Sequence, residues 1–247
     1  MMEFNNLLFR CSSLGHLMTE SRTKSEPLSE TTKTHLIDVY VANKYGRQED
    51  IQNKYIEKGL AAEEDSITLY SRVNKQFFKK NEEHLTNSWI KGTPDLYTGE
   101  GIHKATTIID IKSSWDIYTF MRTLTKDINK MYYWQLQGYM DLTGAQSAKL
   151  AYCLVNTPEP MVEYEKYILG RRMGVIDPTG NELYEKACAD LEKAMLFDDI
   201  PIKERVIEFE IQRNDADILK LHAKVEECRK WLNEFEQSRM PSEALLN

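Results

Sequence analysis

Between Gly92 and Lys112 the chain carries two short strand-like runs joined by a glycine-rich link. The first reads Gly92-Thr93-Pro94-Asp95-Leu96-Tyr97-Thr98-Gly99, and the second Thr106-Thr107-Ile108-Ile109-Asp110-Ile111-Lys112. β-Branched and aromatic residues bounded by Pro and Gly predict a hairpin that turns around Gly99-Glu100-Gly101. This stretch constrains the fold more than any other. Side chains alternate along a strand, so Asp110 and Lys112 point to one face and Ile111 to the other. The hairpin brings Asp95 beside them.

Two carboxylates held close together repel unless a cation lies between them. Hard oxygen ligands with an open side suit Mg²⁺, with Mn²⁺ as the alternative. An adjacent ammonium can hold or help deprotonate a metal-bound water, or steady a phosphate oxygen. The bland reading of the same residues is a hairpin with solvated Asp and Lys on its outer face. The flanking segments bear on that choice.

The chain has 247 residues, 41% hydrophobic and 29% charged, which fits one large globular domain or a core with a helical appendage. No apolar run reaches the length of a membrane span, and Met1 to Asn6 lacks the pattern of a secretory signal. Cys11, Cys153, Cys188 and Cys228 lie far apart, with no zinc or iron–sulfur spacing. They read as reduced, mostly buried thiols of a cytoplasmic protein. The net charge of −7 argues against a strongly basic nucleic-acid binder. Its distribution is uneven, however. Residues 71–130 hold ten Lys/Arg against seven Asp/Glu, whereas residues 181–247 hold ten against sixteen. The basic balance coincides with the hairpin.

Taken in order, Leu7 to Met18 predicts a short helix capped by a serine. Arg10 with Ser12 and Ser13 at such a helix start could bind an anion, although plain capping explains them as well. Residues 19–35 read as a polar loop, and Thr34 to Tyr45 favours a short helix over a strand, with the pattern ambiguous between them. Asp50 to Phe78 predicts one long helix, with Ile51, Tyr55, Ile67, Tyr70, Val73 and Phe77 at helical spacing. Gly59 interrupts it, which suggests close approach of another backbone. Glu63 follows one turn later as the inward carboxylate, with Glu64 as the alternative.

After the hairpin, a helix starts near Ser114 or Asp116 and continues through Leu124. A second runs from about Asn129 to Leu142. Gln135 and Tyr139 share one face of it, where an amide and a phenol can meet carboxylates or a phosphate. Ala148 to Val155 is apolar throughout and predicts a buried strand. Thr157 to Pro160 reads as a turn, and helices follow at about 162–173 and 180–196. Arg205 to Ile211 alternates as a half-buried or edge strand. Asn214 to Phe235 is an amphipathic helix with Ile218, Leu221, Val225, Cys228 and Leu232 in one stripe. It covers the core or faces a partner. Met240 to Asn247 reads as a frayed tail.

The ordered series Arg10-Cys11-Ser12-Ser13, Gly59 with Glu63, Gly92-Thr93-Pro94-Asp95, Asp110-Ile111-Lys112, and Gln135 with Tyr139 resembles the YqaJ-type viral recombinases. These are relatives of lambda exonuclease within the PD-(D/E)xK nucleases. The resemblance covers about Arg10 to Leu232 and implies an α/β (α+β) fold. That fold has a restriction-endonuclease-like core, a mixed β-sheet flanked by helices, and a C-terminal helical extension. It implies a single nuclease domain over residues 1–247. Residues 1–48 would form an end-binding segment, 49–160 the catalytic core and 161–247 the extension. The absence of closely spaced cysteines speaks against the superfamily members that carry a four-cysteine cluster.

Carried over by position, the resemblance implies that Asp95 and Asp110 ligate Mg²⁺, with Glu63 completing the site. Ile111 offers its carbonyl, and Lys112 acts on the attacking water. Gln135 and Tyr139 tune the site or hold DNA, and Arg10 with Ser12 or Ser13 receives a 5′-phosphate. The implied activity is metal-dependent exonucleolytic hydrolysis of linear double-stranded DNA, 5′ to 3′, supplying single strand for phage-type recombination. Partners would be a single-strand annealing protein and copies of the same chain in a ring, such as a trimer. A structure-specific or restriction-like endonuclease is the nearest alternative. A non-catalytic DNA-binding or assembly module and a helical interaction protein built on the last helix follow it.

Overall fold

The structure, a computed structural model, describes residues 2–23, 26–48 and 54–239. In chain order its elements are β1 (Phe9–Arg10), α1 (Leu14–Leu17), α2 (Glu30–Tyr45), α3 (Lys54–Ala61) and α4 (Glu63–Asn74). Next come β2 (Leu85–Thr86), β3 (Ile90–Gly92), β4 (Leu96–Gly99), β5 (Ala105–Ser113), α5 (Ile117–Arg122) and α6 (Lys130–Thr143). The last are β6 (Ser147–Cys153), α7 (Glu159–Met173), α8 (Glu182–Met195), β7 (Val206–Gln212) and α9 (Asp215–Ser238).

The expected hairpin is β4–β5, antiparallel, with Leu96 opposite Ile109 and Thr98 opposite Thr107. It forms one side of a four-stranded mixed sheet in the order β4-β5-β6-β7. β6 is parallel to β5 and antiparallel to β7. The sheet separates two cores, because side chains alternate between its faces. On one face Ile108, Ala148, Leu150 and Ile211 pack with α6, α1 and α9. On the other Leu96, Ile109, Ile111, Ala151 and Cys153 pack with Ile67, Leu69 and Tyr70 of α4. The apolar stripe of α9 is buried in the first core, where the helix packs on α1, α2 and α6, so it covers the core. Burying both faces is why β6 reads as a nearly continuous apolar run.

Several local expectations are corrected. Leu7 to Met18 is a strand residue pair, a 3₁₀ turn and the single-turn helix α1, and no serine side chain caps it. Instead Ser13 Oγ donates to Arg10 O at 2.9 Å. β1 pairs with β3, which also takes β2, so a second, three-stranded sheet exists that periodicity did not reveal. Strands this short carry no alternation to detect.

α2 begins at Glu30 rather than Thr34 because Ser29 accepts from the Thr32 N–H at 3.0 Å, a capping signal inside the polar loop. The predicted long helix is two helices. It breaks at Ala62 (φ −103°, ψ 9°) and ends at Asn74, leaving Phe77 85% exposed. Its expected start at Asp50 and Ile51 lies outside the described residues. Gly59 is approached by nothing: a Cβ there would meet open space. The turn expected through Pro160 is already the first turn of α7, where the missing N–H of proline costs nothing. The tail from Met240 also lies outside the described residues. Among the described residues no helix is long and apolar enough to cross a membrane.

Candidate active site

The register of the larger sheet sets the site. Lys112 pairs with Tyr152, and Asp110 with Leu150, so both charged side chains lie on the face covered by α6. Asp95 immediately precedes β4, and its Oδ2 accepts the Ile111 N–H at 2.8 Å. This bond uses the backbone of the residue between Asp110 and Lys112. The order Asp-Ile-Lys therefore brings all three side chains together.

Asp110 is 1% exposed. Its Oδ1 accepts Gln135 Nε2 at 3.2 Å, and the same nitrogen lies 3.0 Å from Tyr139 OH. Lys112 Nζ stands 2.6 Å from Asp110 Oδ2, so this buried oxygen is held in an ion pair with the ammonium. Burial, then the charge of Asp110, pushes the Asp95 carboxyl up to about 7. Asp110 is raised chiefly by burial. Burial pulls the Lys112 ammonium down, but Asp110 beside it outweighs burial and holds it above its ordinary range. Lys112 is therefore an ammonium at neutral pH.

These side chains open into a cavity of about 590 Å³, also lined by Glu63, Gly59, Trp115 and Tyr132. Glu63 heads α4 and is half-buried, whereas Glu64 and Asp65 are exposed. The choice between Glu63 and Glu64 is thus made by helix phase: only Glu63 lines the cavity. It is turned to Lys80, whose Nζ lies 2.6 Å from Glu63 Oε2. Among the described residues no three His, Cys, Asp or Glu side chains gather closely enough to hold an ion by themselves.

The donor set still fits a hard divalent cation. Two carboxylates with raised proton affinity face one cavity, which is the chemistry of a pair that a cation would relieve, and the Ile111 carbonyl is adjacent in sequence. Mg²⁺ keeps several waters and needs only one or two protein carboxylates.

Arg10, Ser12 and Ser13 are not in this cavity. They line another of about 840 Å³, with His16, His35 and Lys91. Arg10 and Lys91 are paired across β1 and β3, which places two cations side by side. Tyr132 and Tyr152 also line the carboxylate cavity, and Lys80 holds Glu63, although none of the three belongs to the motifs. Tyr152 could have been found by extending the β6 alternation from Leu150. Tyr132 stands three residues before Gln135 and so shares its face of α6, whereas Lys80 gave no local signal.

A phage-related exonuclease from Haemophilus somnus 129PT matches with a TM-score of 0.71 at 24% identity, over 95% of this chain and 97% of that one. The alkaline exonuclease LHK-Exo from Laribacter hongkongensis matches with a TM-score of 0.61 at 15% identity, over 95% and 94%. Its complex with dAMP matches with a TM-score of 0.63 at 17% identity, over 97% and 95%. This chain shares their fold. The match agrees, at the level of architecture, with the resemblance carried by the motifs, and it includes the mixed sheets flanked by helices and the long last helix. No protein-family model matches the sequence, and no curated protein is significantly similar to it.

Proposed function

We propose that this protein is a Mg²⁺-dependent exonuclease that hydrolyses linear double-stranded DNA from an end, 5′ to 3′. The observation that carries the reading is the convergence of Asp95, Asp110 and Lys112 on one sheet face, with a hydrogen-bonded Gln135 behind them. The shared fold with two exonucleases supports it, as does the binding of dAMP by one of them.

In this reading Asp95, Asp110 and the Ile111 carbonyl hold the metal, with Glu63 reaching it directly or through water. The bound ion supplies a water of lowered pKa and a positive charge at the scissile phosphate. Lys112, kept cationic by Asp110, orients the attacking water or a phosphate oxygen and stabilises the charge that builds up in the transition state. Gln135 fixes the rotamer of Asp110, and Tyr139, whose phenol burial keeps protonated, fixes Gln135. The Arg10–Lys91 cavity receives the 5′-phosphate of the strand being degraded. Copies of the chain in a ring, and a single-strand annealing protein that takes the product strand, complete the recombination role.

The test is digestion of end-labelled linear DNA beside closed circular DNA, with and without Mg²⁺. Loss of label as mononucleotide from linear DNA alone, only with Mg²⁺, is the expected result. Cutting of the closed circle would replace this reading with an endonuclease, and no cutting of either would leave a binding module.

A further inference from the structure

The face that carries Asp110 and Lys112 does not end at β5. Across the sheet, Asp110 is followed by Leu150 and then Phe209, and Lys112 by Tyr152 and then Ile207. With strands about 4.8 Å apart, Phe209 lies roughly 10 Å from the β5 backbone. A second cavity, of about 440 Å³, opens over this part of the sheet. It shares Thr119, Thr123, Tyr132 and Tyr152 with the cavity that holds the carboxylates, so the two are continuous.

Its walls differ from those of the metal-binding cavity. Tyr132, Tyr152 and Phe209 form an edge-to-face chain, with ring centroids 6.3 and 6.1 Å apart. Lys112 Nζ lies 4.9 Å from the centroid of Tyr132, so the first ring touches the catalytic group directly. At the rim, Arg122 and Lys126 are exposed cations, offset in part by Asp127. Aromatic walls beside a phosphate-binding group, with cations at the mouth, match the two halves of a nucleotide. The volume suits a ligand of that size.

We propose that this second cavity is a nucleobase subsite. It takes the base of the nucleotide whose phosphate lies at Asp95, Asp110 and Lys112, packed against Tyr132, Tyr152 and Phe209. Arg122 and Lys126 draw the neighbouring phosphate to the rim. The inference rests on the nuclease reading for the position of the phosphate and adds where the base goes. Stacking is tolerant of base identity, so the subsite takes any nucleotide.

The experiment measures equilibrium binding of dAMP, dTMP and 2-deoxyribose 5-phosphate in Mg²⁺. The nucleotides should bind about tenfold more tightly than the sugar phosphate, and Phe209→Leu should bring that ratio towards one while leaving the sugar phosphate unaffected. Photocrosslinking of 5-iodo-2′-deoxyuridine 5′-monophosphate to the wild-type protein gives the location even if Phe209→Leu does not fold. The crosslink should map to peptides holding Tyr132, Tyr152 or Phe209. A wild-type ratio near one, a ratio unchanged in folded Phe209→Leu, or a crosslink elsewhere overturns the inference. None of these readouts needs DNA cleavage. A protein that degrades linear DNA with a ratio near one loses this subsite alone. One that binds the base here but never cuts loses only the nuclease assignment.

Discussion

The Asp95 carboxylate accepts a hydrogen bond from the backbone N–H of Ile111 at 2.8 Å. It thereby reads the position of β5 rather than the identity of a side chain. Asp110 and Lys112, on either side of Ile111, are placed relative to Asp95 by strand geometry alone. Side-chain substitutions at 110 and 112 should therefore change chemistry and leave this geometry in place.

Asp110→Asn and Lys112→Ala are expected to lower cleavage of linear duplex DNA in Mg²⁺ by about 10²–10³-fold or more. Asp110→Asn keeps the acceptor for Gln135 and removes a buried charge, so its unfolding temperature should equal or exceed that of the wild type. Wild-type rates in both variants would remove the site assignment.

Mg²⁺ should stabilise the protein by binding the folded state, by about 2.7 kcal/mol at a concentration a hundredfold above Kd. Thermal unfolding with and without the ion reads this. Asp95→Asn and Asp110→Asn should abolish the shift. Glu63→Gln should only weaken it, because Glu63 already has Lys80 as a partner at 2.6 Å.

Gly92→Ala tests the packing behind the site. A Cβ there would lie 2.8 Å from Tyr139 Cε1 and 3.0 Å from Cys11 Sγ. Tyr139 must shift, and with it Gln135 and the Asp110 rotamer. Overpacking of this kind costs about 1–3 kcal/mol, and kcat should fall more than KM rises. A variant with wild-type stability and kcat would show that Tyr139 does not position Asp110.

Lys58 gives a pH signature unrelated to the carboxylates. It is 1% exposed, donates to Trp115 O at 2.8 Å and lies against the rings of Trp115 and Phe197. Burial lowers its pKa from 10.5 to about 8. Between these values the unfolded chain binds more protons than the folded one, so this lysine's contribution to stability rises with pH from about 8 to 10.5, is lost as pH falls back across that window, and is constant below it. Subtracting the stability profile of Lys58→Met from that of the wild type should expose a rise of at most about 3 kcal/mol across that window. A flat difference would mean that Lys58 is solvated.

Arg10→Ala should reduce the preference for 5′-phosphorylated over 5′-hydroxyl ends. Arg10 lines its own cavity, so cleavage at an engaged phosphodiester should be spared. Equal loss on both kinds of end would count against a phosphate role.

Much of this was legible before the structure. The hairpin, the buried strand β6, the edge strand β7, α6 and α9 all announce themselves by period, because each lays a long apolar face against one core. The Asp-Ile-Lys alternation fixes which side chains share a face, since a strand has a period of two whatever surrounds it. Spacing likewise puts Gln135 and Tyr139 on one side of α6.

Other features depended on the folded chain. The three-stranded sheet of β1, β2 and β3 consists of segments too short to show a period, and β1 joins it by pairing with residues about eighty positions away. Helix phase after the break at Ala62 selected Glu63 over Glu64, and a salt bridge to Lys80 then turned Glu63 aside. The separation of Arg10 from the carboxylate cavity, and the continuity of that cavity with Tyr152 and Phe209, come from strand order and register. Local sequence determines which way a side chain points from its own backbone. Which backbones lie next to one another is decided by long-range burial and hydrogen bonding, and those exist only once the chain has folded.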